Sequence, residues 1–324
     1  MEYRKLGKWG LKVSELAVGS WLTDLTDKPA LEVAEQTIDL AMDAGINFYD
    51  CADAYSGGDA EVFLGRALKK QKRSDLVVSS KCFFPMGDGP NDRGLSRKHI
   101  MESIDGSLKR LDMDYVDLYY CHRPDPDTPL EETIQAMSDL ITAGKVLYWG
   151  VSEWTPAQLA AAVEITKQPG MRPLSVLQPQ YNMFDRYIET EILPFCREAG
   201  IGVTPFSPLS QGLLTGKYRK GQPIPEGSRA TWQADAQINA LLTDENLDKV
   251  EELVKVADGV GCTLAQLALA WILREPQISS VITGSSKPSQ LESNLKAQQV
   301  KLDAATLATI EEILDFHPEV RSIG

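Results

Sequence analysis

Strand-like and helix-like runs alternate along most of this 324-residue chain, and that alternation constrains its fold more than any other feature. Strand-like runs fall near 14–18, 46–50, 75–80, 115–121, 146–151, 175–180, 201–206 and 279–283. Amphipathic helical patterns lie near 31–44, 59–70, 96–110, 129–143, 155–167, 187–199, 262–274 and 287–296. Such alternation means a parallel sheet with crossover helices. Eight units in one chain predict an α/β fold closed as a (β/α)8 TIM barrel. Boundary signals agree: Ser96 and Pro156 stand at helix starts, and Gly45, Gly144 and Gly200 follow helices. The segment from Tyr3 to Val13 predicts an N-terminal β-hairpin, and residues 302–315 an extra C-terminal helix. Two long loops, 82–95 and 207–242, follow strands 3 and 7. Both fall at strand carboxyl ends, where barrel chemistry collects. No composition shift divides the chain, so 1–324 reads as a single domain.

Net charge is −13, which argues against nucleic acid as a partner, because phosphate binding draws on clustered Lys and Arg. The five cysteines form no CxxC, so neither a disulfide framework nor a zinc site is expected. Only three histidines occur, widely separated, and no metal is expected. The first residues, Met1-Glu2-Tyr3-Arg4-Lys5, lack the apolar core of a signal peptide, and no apolar run reaches transmembrane length. A cytoplasmic protein with no membrane insertion is the expectation.

Four ionisable residues stand at the ends of successive strand runs: Asp50, Tyr55 in the turn after it, Lys81 and His122. A barrel would gather them at one mouth. Each alone is an ordinary loop or surface residue. Their shared placement is what counts.

In order and spacing these residues resemble the aldo-keto reductase superfamily. The matching elements are Asn47-Phe48-Tyr49-Asp50 through Tyr55, Lys81, His122, Gly150-Val151-Ser152, Gln178, Phe206-Ser207-Pro208-Leu209 and Gly284-Ser285-Ser286. Within it, the potassium-channel β-subunit-like branch is similar at Arg93 to Ile100, at Arg123 to Thr133 and at Tyr148-Trp149-Gly150. The resemblance implies NADPH-dependent reduction of aldehydes and ketones, with Asp50, Tyr55, Lys81 and His122 catalytic.

The chemistry fits those four residues independently. Carbonyl reduction needs a hydride, which no ordinary side chain supplies, so a nicotinamide is required. It also needs a proton donor. A free tyrosine is a weak acid near neutral pH. A neighbouring Lys81 ammonium is expected to lower the Tyr55 pKa. Asp50 would hold Lys81 charged despite burial. A neutral His122 would orient the carbonyl and share its developing charge.

The sequence has no GxGxxG after a strand, so a Rossmann site is not expected. By resemblance, Ser20, Trp21, Ser152, Gln178 and Phe206 lie on the nicotinamide side. Ser207, Pro208, Leu209 and Gln211 line the pyrophosphate path, and Lys217 and Arg229 clamp the 2′-phosphate. Gly284, Ser286, Gln290 and Asn294 complete the adenosine side. Lys217, Arg219, Lys220 and Arg229 make this loop basic in an acidic protein, which favours NADPH over NADH. Two departures stand out: Glu153 replaces a common Arg, and Ser293 a common acid. Trp21, Tyr55, Phe83 and His122 would contact a small carbonyl substrate. Phe84, Trp154 and Trp232 extend an aromatic rim suited to flat apolar aldehydes or ketones. The alternative is an NADPH-binding, redox-sensing auxiliary subunit of a membrane channel or transporter with little turnover. The branch commonly has Asn where this chain has His122, which speaks for an active reductase. The resemblance leaves a homo-oligomer, a tetramer, open.

Overall fold

The computed structural model describes residues 1–21, 25, 27–231 and 236–318. Among the described residues ten strands are formed: β1 Tyr3–Lys5, β2 Lys12–Ser14, β3 Leu16–Gly19, β4 Phe48–Asp50, β5 Val77–Cys82, β6 Val116–Cys121, β7 Val146–Ser152, β8 Val176–Gln178, β9 Gly202–Val203 and β10 Val281–Thr283. Among the described residues the α-helices are α1 Lys28–Asp43, α2 Asp59–Leu68, α3 Arg97–Leu111, α4 Leu130–Thr142, α5 Pro156–Ile165, α6 Ile192–Ala199, α7 Ala236–Leu241, α8 Asp244–Val260, α9 Leu264–Leu273, α10 Pro288–Leu295 and α11 Ala304–Leu314.

β1 and β2 pair antiparallel as the expected hairpin. The other eight strands form one parallel sheet in the order β10-β3-β4-β5-β6-β7-β8-β9. Its edges curl together: Ser279 N donates to Val203 O and Ile282 N to Pro205 O. The result is a TIM-barrel-like α/β fold. Two apolar layers follow from the alternation of side chains along each strand. One set points inward and includes Phe48, Val77, Leu118, Tyr120 and Val176; Leu6 and Val13 of the hairpin plug it from below. The other set, including Tyr49, Val78, Tyr119 and Trp149, packs under the helices. Gly150 belongs to the inner set for a spatial reason. A Cβ there would meet the Tyr120 ring at 2.8 Å and Val176 Cγ1 at 2.4 Å.

Three helices differ from expectation, and one of them, α7, lies inside the run 207–242 read from sequence as a loop. The run 187–199 forms a 3-10 turn, Tyr187–Glu189, and then α6. Pro194 explains the late start, because proline is tolerated only in a helix's first turn. α8 lies wholly outside the expected set, although its signals are plain. Leu247, Val250, Leu253 and Ala257 form its buried stripe, Thr243 caps its N-terminus by accepting from Asn246 N, and Gly261 closes it in the left-handed conformation. A template of one helix per strand has no place for it. It covers α9, a helix buried on nearly every residue. Among the described residues no single helix is long and apolar enough to cross a membrane. The α8–α9 pair passes that test only by length and composition, bent by 83°.

Candidate active site

Register brings the acid and base together. β4 pairs with β5 so that Asp50 lies opposite Ser79. Lys81 is two residues beyond Ser79 and so shares its inward face. Lys81 is fully buried, and Asp50 is 3% exposed. Lys81 Nζ lies 2.6 Å from Asp50 Oδ2, 2.6 Å from Cys51 O and 3.4 Å from the Tyr55 hydroxyl. Asp50 is fixed from its other side, where Ser79 Oγ donates to Oδ1 at 2.6 Å and Gln178 Nε2 at 3.0 Å. A buried ion pair is tolerable when its remaining hydrogen-bonding capacity is filled like this. Burial works to lower the Lys81 pKa, but Asp50 and Tyr55 outweigh it and hold the value above its ordinary one. The ammonium is therefore charged.

Tyr55 hangs over this pair from the turn after β4. Ser56 and Gly57 take left-handed conformations, with φ 50° and 63°, which turn the chain sharply into α2. Against expectation, the Tyr55 phenol stands above its ordinary pKa. Burial raises it by more than the Lys81 charge lowers it. Tyr55 consequently rests as the neutral, proton-bearing phenol. His122 stands directly after β6, its ring 5.7 Å from that of Tyr55. Burial, then Lys81, then Arg123 hold its pKa well below the usual value, so the imidazole is neutral. Its Nδ1 is buried without a hydrogen-bond partner.

The remaining expected residues separate by position. Ser152 and Gln178 face each other across β7 and β8, both buried. Phe206 is half-buried beyond β9. Ser20 is buried, and its hydroxyl donates to Asp50 O, so it braces the acid's backbone. Trp21 is 59% exposed and meets Tyr55 edge-on at 5.0 Å. Phe83 packs against the core under the helices, and Phe84 is the ring against His122, at 4.9 Å. Trp154 also sits in that core, 2% exposed, away from the rim where it was expected. Trp232 lies outside the described residues. Glu153 takes φ 59°, and its carboxylate accepts from Gln180 N and the Tyr187 hydroxyl. That commits its charge to bracing the β8 loop.

The loop after β9 is tightly turned. Ser207, Ser210, Gln211 and Gly212 all have positive φ. Ser210 N and Gly212 N close two of these turns by donating to Ser207 O and Leu209 O. Lys217 Nζ stands beside the loop, 3.3 Å from where a Cβ of Gly212 would be. Gln211 Oε1 is buried there without a partner. Pro208 is buried and Leu209 half-buried in the same loop. Arg229 lies in the short 3-10 turn Arg229–Thr231. Lys220, expected in the basic cluster, instead pairs with Asp248 at 2.7 Å and Asp244 at 3.6 Å on α8. Gly284 and Ser286 lie between β10 and α10; Gln290 Oε1 already accepts from Ser286 N and Oγ. Asn294 is buried on α10. Buried polar side chains at the strand ends, the half-buried Phe206 ring and Lys217 beside the loop after β9 fit a nicotinamide dinucleotide.

Ser79 and Arg123 belong to this region although the sequence reading gives neither a role in the site, whereas Phe84 lies at the mouth as the aromatic rim predicts. Ser79 was findable, since it stands two residues before Lys81 on a strand. Phe84 and Phe83 are adjacent, and only tertiary packing tells them apart.

Asp53, just behind the site, carries a separate consequence. It is fully buried, accepts from Ser103 Oγ at 2.7 Å, and its Oδ1 has no partner. Burial pushes its pKa up to about 7, against the pull of Ser103 and with a further rise from Glu61. The folded protein keeps this proton to about pH 7, whereas an unfolded Asp releases it near pH 4. Stability therefore falls as pH rises between those values, by at most about 4 kcal/mol. Asp53→Asn is expected to flatten that slope and to stabilise the protein above neutral pH. Urea midpoints at about pH 5 and 8 check this; a variant equally destabilised at both would refute it.

These features define an oxidoreductase of the type in which a buried acid–lysine pair supports a tyrosine at a barrel mouth, with a nicotinamide as redox cofactor. A sequence model of the aldo/keto reductase family matches residues 15–315, and the chain belongs to that family. Its relatives include a "Probable voltage-gated potassium channel subunit beta" of Arabidopsis thaliana, 46% identical over 98% of both chains. A rice (Oryza sativa subsp. japonica) protein of the same description is 45% identical, covering 99% of this chain and 97% of its own. A "Putative voltage-gated potassium channel subunit beta" of Schizosaccharomyces pombe is 42% identical, covering 98% and 94% respectively.

Proposed function

We propose that this chain is a single-domain, NADPH-dependent reductase of small aldehydes and ketones. The reading rests above all on one observation: Lys81 Nζ bridges Asp50 and the Tyr55 hydroxyl in a buried site beside a neutral imidazole. When bound, the reduced nicotinamide supplies the hydride. Every other part of the work falls to side chains. Phe206 would stack on the nicotinamide, and Ser152 and Gln178 would hold its carboxamide. His122 orients the substrate carbonyl. Tyr55 then gives its hydroxyl proton to the carbonyl oxygen as negative charge grows there, and the charged Lys81 steadies the phenolate left behind. An alkoxide is a stronger base than a phenolate, so the raised Tyr55 pKa does not block this transfer. Ser207, Pro208, Leu209 and Gln211 would border the pyrophosphate, with Gly284, Ser286, Gln290 and Asn294 on the adenosine side. Lys217 and Arg229 would meet the 2′-phosphate, which is why we assign NADPH over NADH.

The test is loss of NADPH absorbance across an aldehyde panel, with NADH as control. Turnover with NADPH ahead of NADH is expected. Lys217→Ala should weaken NADPH roughly fivefold and leave NADH unchanged, the scale of one exposed ion pair. Tight NADPH binding with no carbonyl reduced would overturn the reading. It would turn attention to a channel-subunit role like the one its relatives are named for.

A further inference from the structure

Arg123 follows His122 directly and is half-buried at the same mouth. One end of its guanidinium is fixed: Nη1 donates to His122 O at 2.6 Å and lies 3.4 Å from Ser152 Oγ. Phe84 lies beside it, with Cζ 5.7 Å from the ring that itself packs on His122. Among the described residues, no carboxylate pairs with it. Glu153, the acid next to Ser152, is committed to Gln180 N and Tyr187 instead. Asp125, two residues on, is held by Leu95 N, Asp127 N and Thr128. A half-buried guanidinium beside an aromatic ring, with no carboxylate partner among the described residues, is unusual in a chain of net charge −13. Its other N–H groups form a fork that matches a carboxylate.

We infer that Arg123 is a specificity residue that selects small carbonyl substrates bearing a carboxylate. The reactive carbonyl sits against Tyr55 and His122, and the acid group reaches the free edge of the Arg123 guanidinium. This rests on the reductase reading above.

Matched pairs test it: succinic semialdehyde against butanal, and 4-carboxybenzaldehyde against benzaldehyde. The wild type should favour the acidic member in kcat/KM by on the order of ten- to a hundredfold, the range for hydrogen bonds to a charged group. Arg123→Gln should abolish that preference, mainly through KM, and Arg123→Lys should keep part of it. No preference in the wild type, or an equal loss on both members in Arg123→Gln, would overturn the inference. If the wild type reduces no aldehyde at all, the reductase reading fails separately. Calorimetric titration with succinate then decides: uptake by the wild type that Arg123→Gln lacks supports the anion site, and no uptake overturns it.

Discussion

Tyr55→Phe should abolish most carbonyl reduction, lowering kcat by on the order of a hundred- to ten-thousandfold, the usual contribution of a positioned general acid. The variant removes one oxygen and little else. The ring keeps its edge contacts with Trp21 at 5.0 Å and His122 at 5.7 Å. The lost hydroxyl had only a long bond, 3.4 Å, to Lys81. Cofactor affinity and the thermal midpoint should therefore stay near wild type. kcat and kcat/KM should fall together, the signature of an interaction made in the transition state. Steady-state kinetics paired with a cofactor titration measures both. Turnover within about tenfold of wild type would show that another group donates the proton.

Lys81→Met attacks stability as well as chemistry. It strips the cation from Asp50, which is 3% exposed and left with the Ser79 and Gln178 donors alone. Removing one partner of a buried pair leaves an uncompensated charge and costs about 3–5 kcal/mol. Cys51 O also loses its Lys81 donor. The urea midpoint should drop accordingly. Adding Asp50→Asn should restore most of the stability and none of the activity, because the charge is gone while Tyr55 still lacks its ammonium. If the double variant were no more stable than Lys81→Met, the loss would have to come from packing of the lysine stem. The two results separate the pair's structural role from its catalytic one.

Much of this barrel is legible from local chemistry. β5 and β6 read as strands because Leu76-Val77-Val78 and Val116 with Leu118-Tyr119-Tyr120 supply apolar, β-branched and aromatic residues that suit a buried sheet. Asp27, Ser96, Thr155, Thr243, Thr263 and Asp303 cap helices by accepting from the N3 amide, which needs only a short polar side chain at a fixed offset. The candidate acid, lysine and histidine are legible for a topological reason. Parallel strands joined by right-handed crossovers bring all their carboxyl ends to one face. α8 was legible too, since its stripe and caps are local, but a repeating template hides an element inserted between repeats.

Side-chain direction and environment are not local properties. Phe83 and Phe84 are chemically identical neighbours, and packing sends one to the core and the other to His122. Trp154 belongs to the core although its neighbours suggest a rim. Lys220 adds to a basic loop in sequence but is neutralised by acids on α8, some 24 to 28 residues away. The sign of the Tyr55 shift depends on how much water the fold excludes, set against one charge at 3.4 Å. From the sequence alone came the parallel barrel, its hairpin and terminal helix, and the four residues at its mouth, because periodicity and strand-end position are written residue by residue. Only the tertiary structure decided which hydroxyl braces Asp50, which aromatic faces His122, where the cations find partners and which groups hold their protons, because each depends on the distance and desolvation that residues far apart in the chain impose on one another.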